Sequence, residues 1–337
     1  MISNMNRLLL LLLPLTVLYS CSSEEKRVFV YLEGFTQGTS YHIAYNSPDS
    51  IDYHKEIKEL FEDIDYSMST YNPESVISAI NRNDEGGEPD KYFTDVFLRA
   101  MEISELTGGA FDITVAPLVN AWGFGFTGGV DVYPELIDSL LQFVGWEMVM
   151  LQNGRIVKDH PSLMLDMNSI AKGYTVDVVA DFLDSMGITD YMIEVGGEIR
   201  VKGRNRNDQL WRIGVDKPVD DPAAISRELQ TVLHLTGAAM ATSGNYRRFY
   251  IRDGQRYAHT IDPATGYPVQ HNLLSATVIA PLAMDADAYA TAFMVMGLEK
   301  SLEFALNKPD LEAYLIYDLN GDTAVASTPG IEAMLGK

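Results

Sequence analysis

Short segments of alternating apolar and polar residues, joined by tight turns, recur along this sequence and restrict its fold more than any other feature. Asn153-Gly154 is the strongest hairpin signal, because both residue types tolerate the positive φ that a two-residue turn requires. The alternation predicts strands at Arg27–Phe35, Thr39–Asn46, Met148–Gln152, Arg155–Lys158, Ser162–Asp166, Tyr191–Val195, Glu198–Lys202, Trp211–Val215, Gln230–Leu235, Leu273–Ala280, Ala313–Tyr317 and Thr323–Ala326. Many of these strands are hairpin-linked and no regular strand–helix–strand alternation appears. The predicted class is therefore α+β, with antiparallel sheets flanked by helices.

Four amphipathic helices are predicted between these strands. Apolar residues at helical spacing indicate helices over about Asp52–Asp65, Ile170–Met186 and Asp285–Met296, and one that carries Phe93, Val96 and Phe97 and stops at Gly108-Gly109. The 337 residues suffice for one large domain or two intimate subdomains, which we place over residues 21–337.

A glycine-rich stretch at Gly123, Gly125 and Gly128 has the formal spacing G-x-G-x-x-G. A dinucleotide-binding fingerprint requires that spacing between a strand and a helix of one compact unit. Here Gly129–Tyr133 intervenes before the next helix, which Pro134 is expected to open. We therefore interpret the stretch as a loop or an aromatic lid.

The N-terminus resembles a bacterial lipoprotein signal over residues 1–20. Arg7 precedes the apolar run Leu8–Leu18, which is too short to span a bilayer, and Leu18-Tyr19-Ser20-Cys21 then resembles a lipobox. Cys21 is the only cysteine of the chain, and we expect it to carry the lipid. A cleaved secretory signal with an incidental cysteine is the alternative.

The net charge limits the partners that the protein can bind. A formal charge of −22 argues against nucleic acid and against anionic membrane surfaces as partners. A phosphate ligand then requires backbone amides, a metal ion or a few well-placed cations.

Two stretches near residues 257–291 suggest one site. Tyr257–Pro268 begins like a strand and then turns at Asp262-Pro263, so that His259 lies at a strand end beside a stiff loop. Asp287 and Thr291 lie four residues apart on one helix face and offer oxygen ligands of the kind that Mg²⁺ prefers. His259 could be a general base or a buried structural histidine, and the Asp–Thr pair could be an ordinary solvated helix pair.

A helix N-terminus offers a third part of this site. Ser169 and Lys172 precede or open the helix over Ile170–Met186, where free backbone amides attract an anion. A lysine at this end is slightly unfavourable to the helix, which favours a functional role over a solvated surface lysine.

The segments together resemble the ApbE family of FAD:protein FMN transferases. The matching segments, in the order of the family, are Gly38-Thr39-Ser40-Tyr41, Met68-Ser69-Thr70-Tyr71, Gly108–Asp112, Trp122–Gly125, Asp166–Gly173, Gly196-Gly197-Glu198-Ile199, Ala241–Gly244, His259–Pro263 and Asp287–Thr291. The resemblance covers nearly all of the chain after residue 20. It implies the family's T-fold-like α+β architecture and its reaction: FAD is cleaved at its pyrophosphate, FMN is esterified to a threonine of a partner protein, AMP is released and Mg²⁺ is required.

The resemblance also implies roles for individual residues. His259 matches a histidine important for activity, and Ser169 (through its carbonyl), Asp287 and Thr291 match a magnesium site. The positions that match the FAD site are Gln37, Tyr71, Ala110, Phe111, Asp112, Asp166, Lys172 and Ile261. Two residues depart from the pattern, since the family often has methionine at the position of Gln37 and aspartate at that of Asn245.

These implications lead to a prediction and two alternatives. We expect a Mg²⁺-dependent flavin transferase, held by a lipid anchor and facing the periplasm, with FAD and subunits of membrane redox complexes as partners. The inner membrane is the expected location, with the outer membrane or cell surface as alternatives. An FAD hydrolase that gives FMN and AMP, or a flavin-binding lipoprotein without catalysis, would use the same residues.

Overall fold

An antiparallel sheet of eight strands organises the molecule. The computed structural model describes residues 27–126, 129–218, 228–245, 249–252 and 255–336. The strands are β1 Phe29–Thr36, β2 Thr39–Asn46, β3 Val149–Gln152, β4 Arg155–Lys158, β5 Tyr191–Val195, β6 Glu198–Lys202, β7 Trp211–Asp216, β8 Leu229–Leu235, β9 Ala238–Gly244, β10 Phe249–Arg252, β11 Gln255–Ala258, β12 Leu273–Ala280, β13 Glu312–Leu319 and β14 Asp322–Ser327. The large sheet has the order β1-β2-β5-β6-β9-β12-β13-β14, and β3–β4, β7–β8 and β10–β11 form separate ribbons.

Most helices pack on one face of this sheet, whereas Ile331 of the last helix packs with the β7–β8 ribbon on the opposite face. The helices are α1 His54–Met68, α2 Val76–Arg82, α3 Lys91–Leu106, α4 Ala116–Ala121, α5 Pro134–Leu141, α6 Ala171–Ser185, α7 Ala283–Met296, α8 Leu298–Leu306 and α9 Gly330–Met334. Strand β5 shows how alternation divides the two faces. Ile193 and Val195 pack with the helical side, whereas Met192 packs with the β7–β8 ribbon on the opposite side.

The predicted class and most of the predicted elements are confirmed. Strands Tyr191–Val195, Glu198–Lys202 and Leu273–Ala280 have the predicted bounds. Asn153 and Gly154 form the β3–β4 turn with φ of 52° and 77°. Pro134 opens α5, and the glycine-rich stretch follows helix α4 rather than a strand, which agrees with its interpretation as a loop.

One strand prediction was wrong, and one strand was not predicted. Ser162–Asp166 is not a strand: the Asn81 side chain bonds the N–H and the carbonyl of Leu165, and the N–H of Asp166 donates to the Ile113 carbonyl. Conversely, Ala238–Gly244 is a strand that the sequence did not indicate, paired with β6 and β12. Its alanines have little strand propensity, so pairing and burial decide its structure.

No helix within the described part of the chain combines the length and the apolar character that crossing a bilayer would require. Cys21 and the rest of the predicted lipoprotein signal lie outside the described residues, so lipidation remains a prediction.

Candidate functional site

The first wall of the site is the close contact between α6 and α7. A Cβ atom on Gly173 would lie 2.2 Å from the Ala283 carbonyl oxygen and 2.8 Å from the Cα of Met284, so only glycine allows this approach. The N–H of Gly173 donates to the Asp287 carboxylate at 3.1 Å. The first turn of α6 and the middle of α7 are thereby fixed side by side.

Lys172 lies beside this contact, between two buried carboxylates. Its Nζ is 3.4 Å from Oε1 of Glu198 and 3.7 Å from Oδ2 of Asp287. Burial raises the pKa of Asp287, against the opposing charge of Lys172. Burial likewise raises the pKa of Glu198 to about 8; the Lys172 charge opposes this rise and the Asp287 charge adds to it. A carboxylate pair with one ammonium is thus built into the α6 N-terminus.

The turn before α6 carries the predicted residues Asp166 and Ser169. Asp166 is buried, and its Oδ1 accepts the N–H of Asn168, which fixes the turn. Its burial raises its pKa, an effect that the Asn168 hydrogen bonds and the nearby Lys172 charge oppose. Ser169 follows half-buried in the same turn, two residues before the helix begins. Its backbone therefore lies at the α6 N-terminus, as the prediction required.

Strand β9 and the segment after it connect α7 with the histidine loop. Thr291 Oγ1 lies 3.3 Å from the hydroxyl of Ser243. Asn245, just after β9, accepts a hydrogen bond from the Thr260 hydroxyl at 3.0 Å. Because Thr260 follows His259 directly, this contact fixes the end of the histidine loop against β9, next to the α7 residue that the sequence assigned to the metal.

His259 is half-buried and faces an aromatic residue of the glycine-rich loop. Its ring lies 6.3 Å, edge to face, from that of Phe124. The turn behind it is rigid: Trp122 donates from its indole N–H to the Gly266 carbonyl at 2.8 Å, and Ile261 is bridged to Pro268 and buried. The expected stiff turn beside the histidine is therefore present.

Gln37 reaches the site from the β1–β2 turn. Its side-chain N–H donates to Thr175 Oγ1 of α6 at 2.7 Å, while its buried Oε1 has no hydrogen-bond partner among the described residues. Thr175 lies about one helical turn beyond Lys172. Gln37 is therefore brought to the same helix as Lys172, with one acceptor oxygen left over.

The other residues that were predicted to line the FAD site lie in different surroundings. Tyr71 is 65% exposed and its ring lies edge-on to Phe126 at 6.5 Å. Phe111, beside half-buried Ala110, is 1% exposed within the main core, so its side chain serves packing. Asp112 accepts the backbone N–H groups of Thr114 and Trp146. Its carboxylate therefore fixes the loop, although burial raises its pKa.

The oxygen atoms at this site fit a hard cation. Asp287 and Thr291 lie one turn apart on α7 and would supply a carboxylate and a hydroxyl, to which the Ser169 carbonyl would add a third oxygen. Within the described residues, no group of three or more histidine, cysteine or acidic side chains is arranged to hold a metal. A Mg²⁺ ion would thus depend on one carboxylate and on oxygens of the bound substrate, which is common for this ion.

Glu198, Gly173 and Ser243 lie in segments that match the family, but no individual role was predicted for them. The burial of Glu198 could have been predicted from the hairpin register. It lies opposite Val195, which faces the core, so its carboxylate must be buried as well. Nothing in the spacing indicated that the main chain of Gly173 would bond Asp287, 114 positions away in the sequence.

Comparisons with known proteins agree with this geometry. The sequence model of the ApbE family matches residues 37–315. An FAD:protein FMN transferase of Vibrio cholerae is 40% identical over 310 residues, which cover 89% of this chain and 91% of that protein. One of Haemophilus influenzae is 38% identical over 313 residues and covers 89% of both chains.

Solved structures give the same result. The flavin transferase ApbE from Vibrio cholerae superposes with a TM-score of 0.82 at 36% identity, covering 92% of this chain and all of that one. The apo form of the Pseudomonas stutzeri flavinyl transferase ApbE has a TM-score of 0.82 at 31% identity, covering 92% and 98%.

Proposed function

This chain belongs to the ApbE family and is a flavin transferase, and on that premise we propose a Mg²⁺-dependent transfer of FMN from FAD to a threonine hydroxyl of a partner protein, with release of AMP. The observation that carries the proposal is the position of Lys172. Its ammonium lies at the α6 N-terminus within 3.7 Å of the Asp287 carboxylate, where a cation and an oxygen ligand can meet a pyrophosphate.

The residues divide the binding of this substrate between them. Asp287, Thr291 and the Ser169 carbonyl would hold Mg²⁺, which when bound neutralises negative charge on phosphate oxygens. Lys172, in the first turn of α6, would bind the pyrophosphate from the other side. We propose that Gln37, which bonds Thr175 of α6, and the exposed Tyr71 contact the flavin end of FAD.

His259 performs the proton transfer. The threonine oxygen attacks the phosphorus of the FMN half, its proton passes to His259, and the bond from phosphorus to the bridging oxygen breaks. AMP leaves with that oxygen, and Lys172 is placed to stabilise the charge that develops on it. The products are the threonine–FMN phosphoester and AMP, so atoms and charge balance without a further reactant.

The test is to incubate the protein with FAD, Mg²⁺ and candidate acceptor proteins and to weigh the products. A threonine that gains the mass of FMN minus water, together with one AMP per transfer, is the expected result. Free FMN with every acceptor would instead identify an FAD hydrolase, and unchanged FAD would identify a flavin-binding protein without catalysis.

The cellular location is a separate proposal that rests on the sequence. We propose that Cys21 carries a lipid and that the domain faces the periplasm, where subunits of membrane redox complexes would be its acceptors. Phe29 begins β1 eight positions after Cys21, so the connecting segment spans at most about 28 Å. Such a tether would keep the domain close to the membrane.

A further inference from the structure

Glu198 faces the site from a third element, the sheet itself. It begins β6, directly after the Gly196-Gly197 turn, and only 5% of the residue is exposed. Its Oε1 is 3.4 Å from Lys172 Nζ, whereas its Oε2 has no hydrogen-bond partner among the described residues. A buried carboxylate that leaves one oxygen without a donor is costly, which favours a function for it.

The local backbone leaves space for this contact. Gly196 has a φ of 66°, and a Cβ atom there would lie 2.7 Å from Cγ2 of Thr39 and 3.3 Å from both Glu198 Oε2 and the Cδ of Lys172. Glycine therefore lets the two side chains lie together under the turn.

The Lys172 ammonium contacts several acceptors, among them two carboxylates. Its Nζ lies 3.4 Å from Glu198, 3.7 Å from Asp287 and 3.4 Å from the Asn168 carbonyl. Charged N–H···O contacts usually measure about 2.7–2.9 Å. Another ion pair between α6 and β6, Arg200 with Asp177, reaches 2.8 Å. The ammonium is thus held between the carboxylates without closing onto either.

We propose that Glu198 is a positioning residue that holds the Lys172 ammonium away from Asp287 and so keeps the Asp287 carboxylate available to a divalent cation. This inference rests on the proposed Mg²⁺ site. Glu198 competes with Asp287 for the ammonium in its ionised form. Without that negative charge Lys172 would close onto Asp287, and the cation would have to displace the ammonium before it could bind.

A double-mutant cycle separates this role from simple charge attraction. The four proteins are the wild type, Glu198→Gln, Lys172→Met and the double variant, as detergent-solubilised full chains saturated with FAD, whose phosphate oxygens complete the proposed Mg²⁺ site. Mg²⁺ affinity is measured by titration calorimetry at pH 9, because burial raises the pKa of Glu198 to about 8 and the carboxylate is then charged. If Glu198 positions Lys172, the effects of the two substitutions on Mg²⁺ affinity are coupled, whereas the effects of two independent charges on that affinity add.

We expect Glu198→Gln to weaken Mg²⁺ binding by about 10-fold, and Lys172→Met to change it by less than about threefold in the wild type. In the Glu198→Gln background, Lys172→Met should raise the Mg²⁺ affinity at least about fivefold, because no ammonium then competes with the cation for Asp287. Equal effects of Lys172→Met in both backgrounds would overturn the inference. A wild type that binds no Mg²⁺ would instead overturn the proposed function.

Two further variants separate positioning from general damage. Glu312→Gln removes a half-buried carboxylate three strands away in the sheet and should leave Mg²⁺ affinity unchanged. Should Glu198→Gln not fold, as judged by circular dichroism, Glu198→Asp keeps the charge but withdraws it by one methylene group. Its affinity should lie below that of the wild type, and an unchanged affinity would contradict the role.

Discussion

The backbone N–H of Gly173 donates to the carboxylate of Asp287 at 3.1 Å. This hydrogen bond joins the helix N-terminus that suits an anion to the helix that carries the proposed oxygen ligands. Two of the segments that the sequence assigned to one site therefore adjoin, with Lys172 directly beside the junction.

Replacing Asp287 with alanine should abolish flavin transfer, because it removes the one carboxylate among the proposed Mg²⁺ ligands. We expect at least about 100-fold slower FMN transfer, with FAD binding partly retained. Asp285→Ala is the matched control, since Asp285 lies on the same helix but pairs with Arg99. That control should lose stability and keep transfer. Full activity of Asp287→Ala, or of the wild type in excess chelator, would rule the site out.

His259→Ala should bind FAD nearly as the wild type does but transfer FMN at least about 100-fold more slowly, the usual scale for a lost general base. Single-turnover transfer measures the rate, and flavin fluorescence measures binding. His234→Ala, on the β7–β8 ribbon, serves as the control and should transfer at the wild-type rate. A wild-type rate in His259→Ala would remove this histidine from the mechanism.

Gly173→Ala should destabilise the fold, because the added methyl group would overlap the carbonyl of Ala283. Overpacking of this kind costs about 1–3 kcal/mol, and here it also separates the Gly173 amide from Asp287. Gly86→Ala, which meets open space, should change the free energy of unfolding by less than about 0.5 kcal/mol. Urea unfolding of both variants measures the difference, and equal stabilities would show that the helices separate easily.

The stability of the metal-free protein should depend on pH through Glu198. Burial raises its pKa from 4.5 to about 8, so the folded protein retains a proton that the unfolded chain has lost. The stabilisation is fully present below pH 4.5 and is lost as the pH rises through about 8. Relative to Glu198→Gln, the wild type should therefore lose on the order of a few kcal/mol between pH 4.5 and 9. Parallel stability profiles in chelator would contradict this.

Cys21→Ser should release the protein from the membrane fraction, because the variant has no thiol to acylate. Membrane fractionation and labelling with a palmitate analogue measure the effect. Ser23→Ala should remain membrane-bound and labelled. A Cys21→Ser protein that stays in the membrane would show that another segment holds it there.

The strands were predicted correctly where the local sequence pattern was strong. The hairpin of β5 and β6 was predicted to the residue, because alternating side chains flank two glycines with positive φ, Gly196 and Gly197. The Ser162–Asp166 segment was misjudged because the side chain of Asn81, not a neighbouring strand, bonds its backbone.

The site residues were harder to predict from local patterns. His259, Lys172 and Asp287 each lay in a recognisable context, but their mutual distances depend on the packing of α6, α7 and the sheet. The buried position of Glu198 followed from its register opposite Val195, whereas its contact with Lys172 required the crossing of α6 over β6.

The sheet runs without interruption from β6 through β9 to β12, and α7 packs directly on β9 and β12. Lys172, Glu198, Ser243 and Thr291 are therefore attached to one continuous layer, and no hinge separates them. In the proposed reaction, these four residues would hold their mutual positions while the acceptor protein approaches. The acceptor threonine would then reach them on a protruding segment of its own chain.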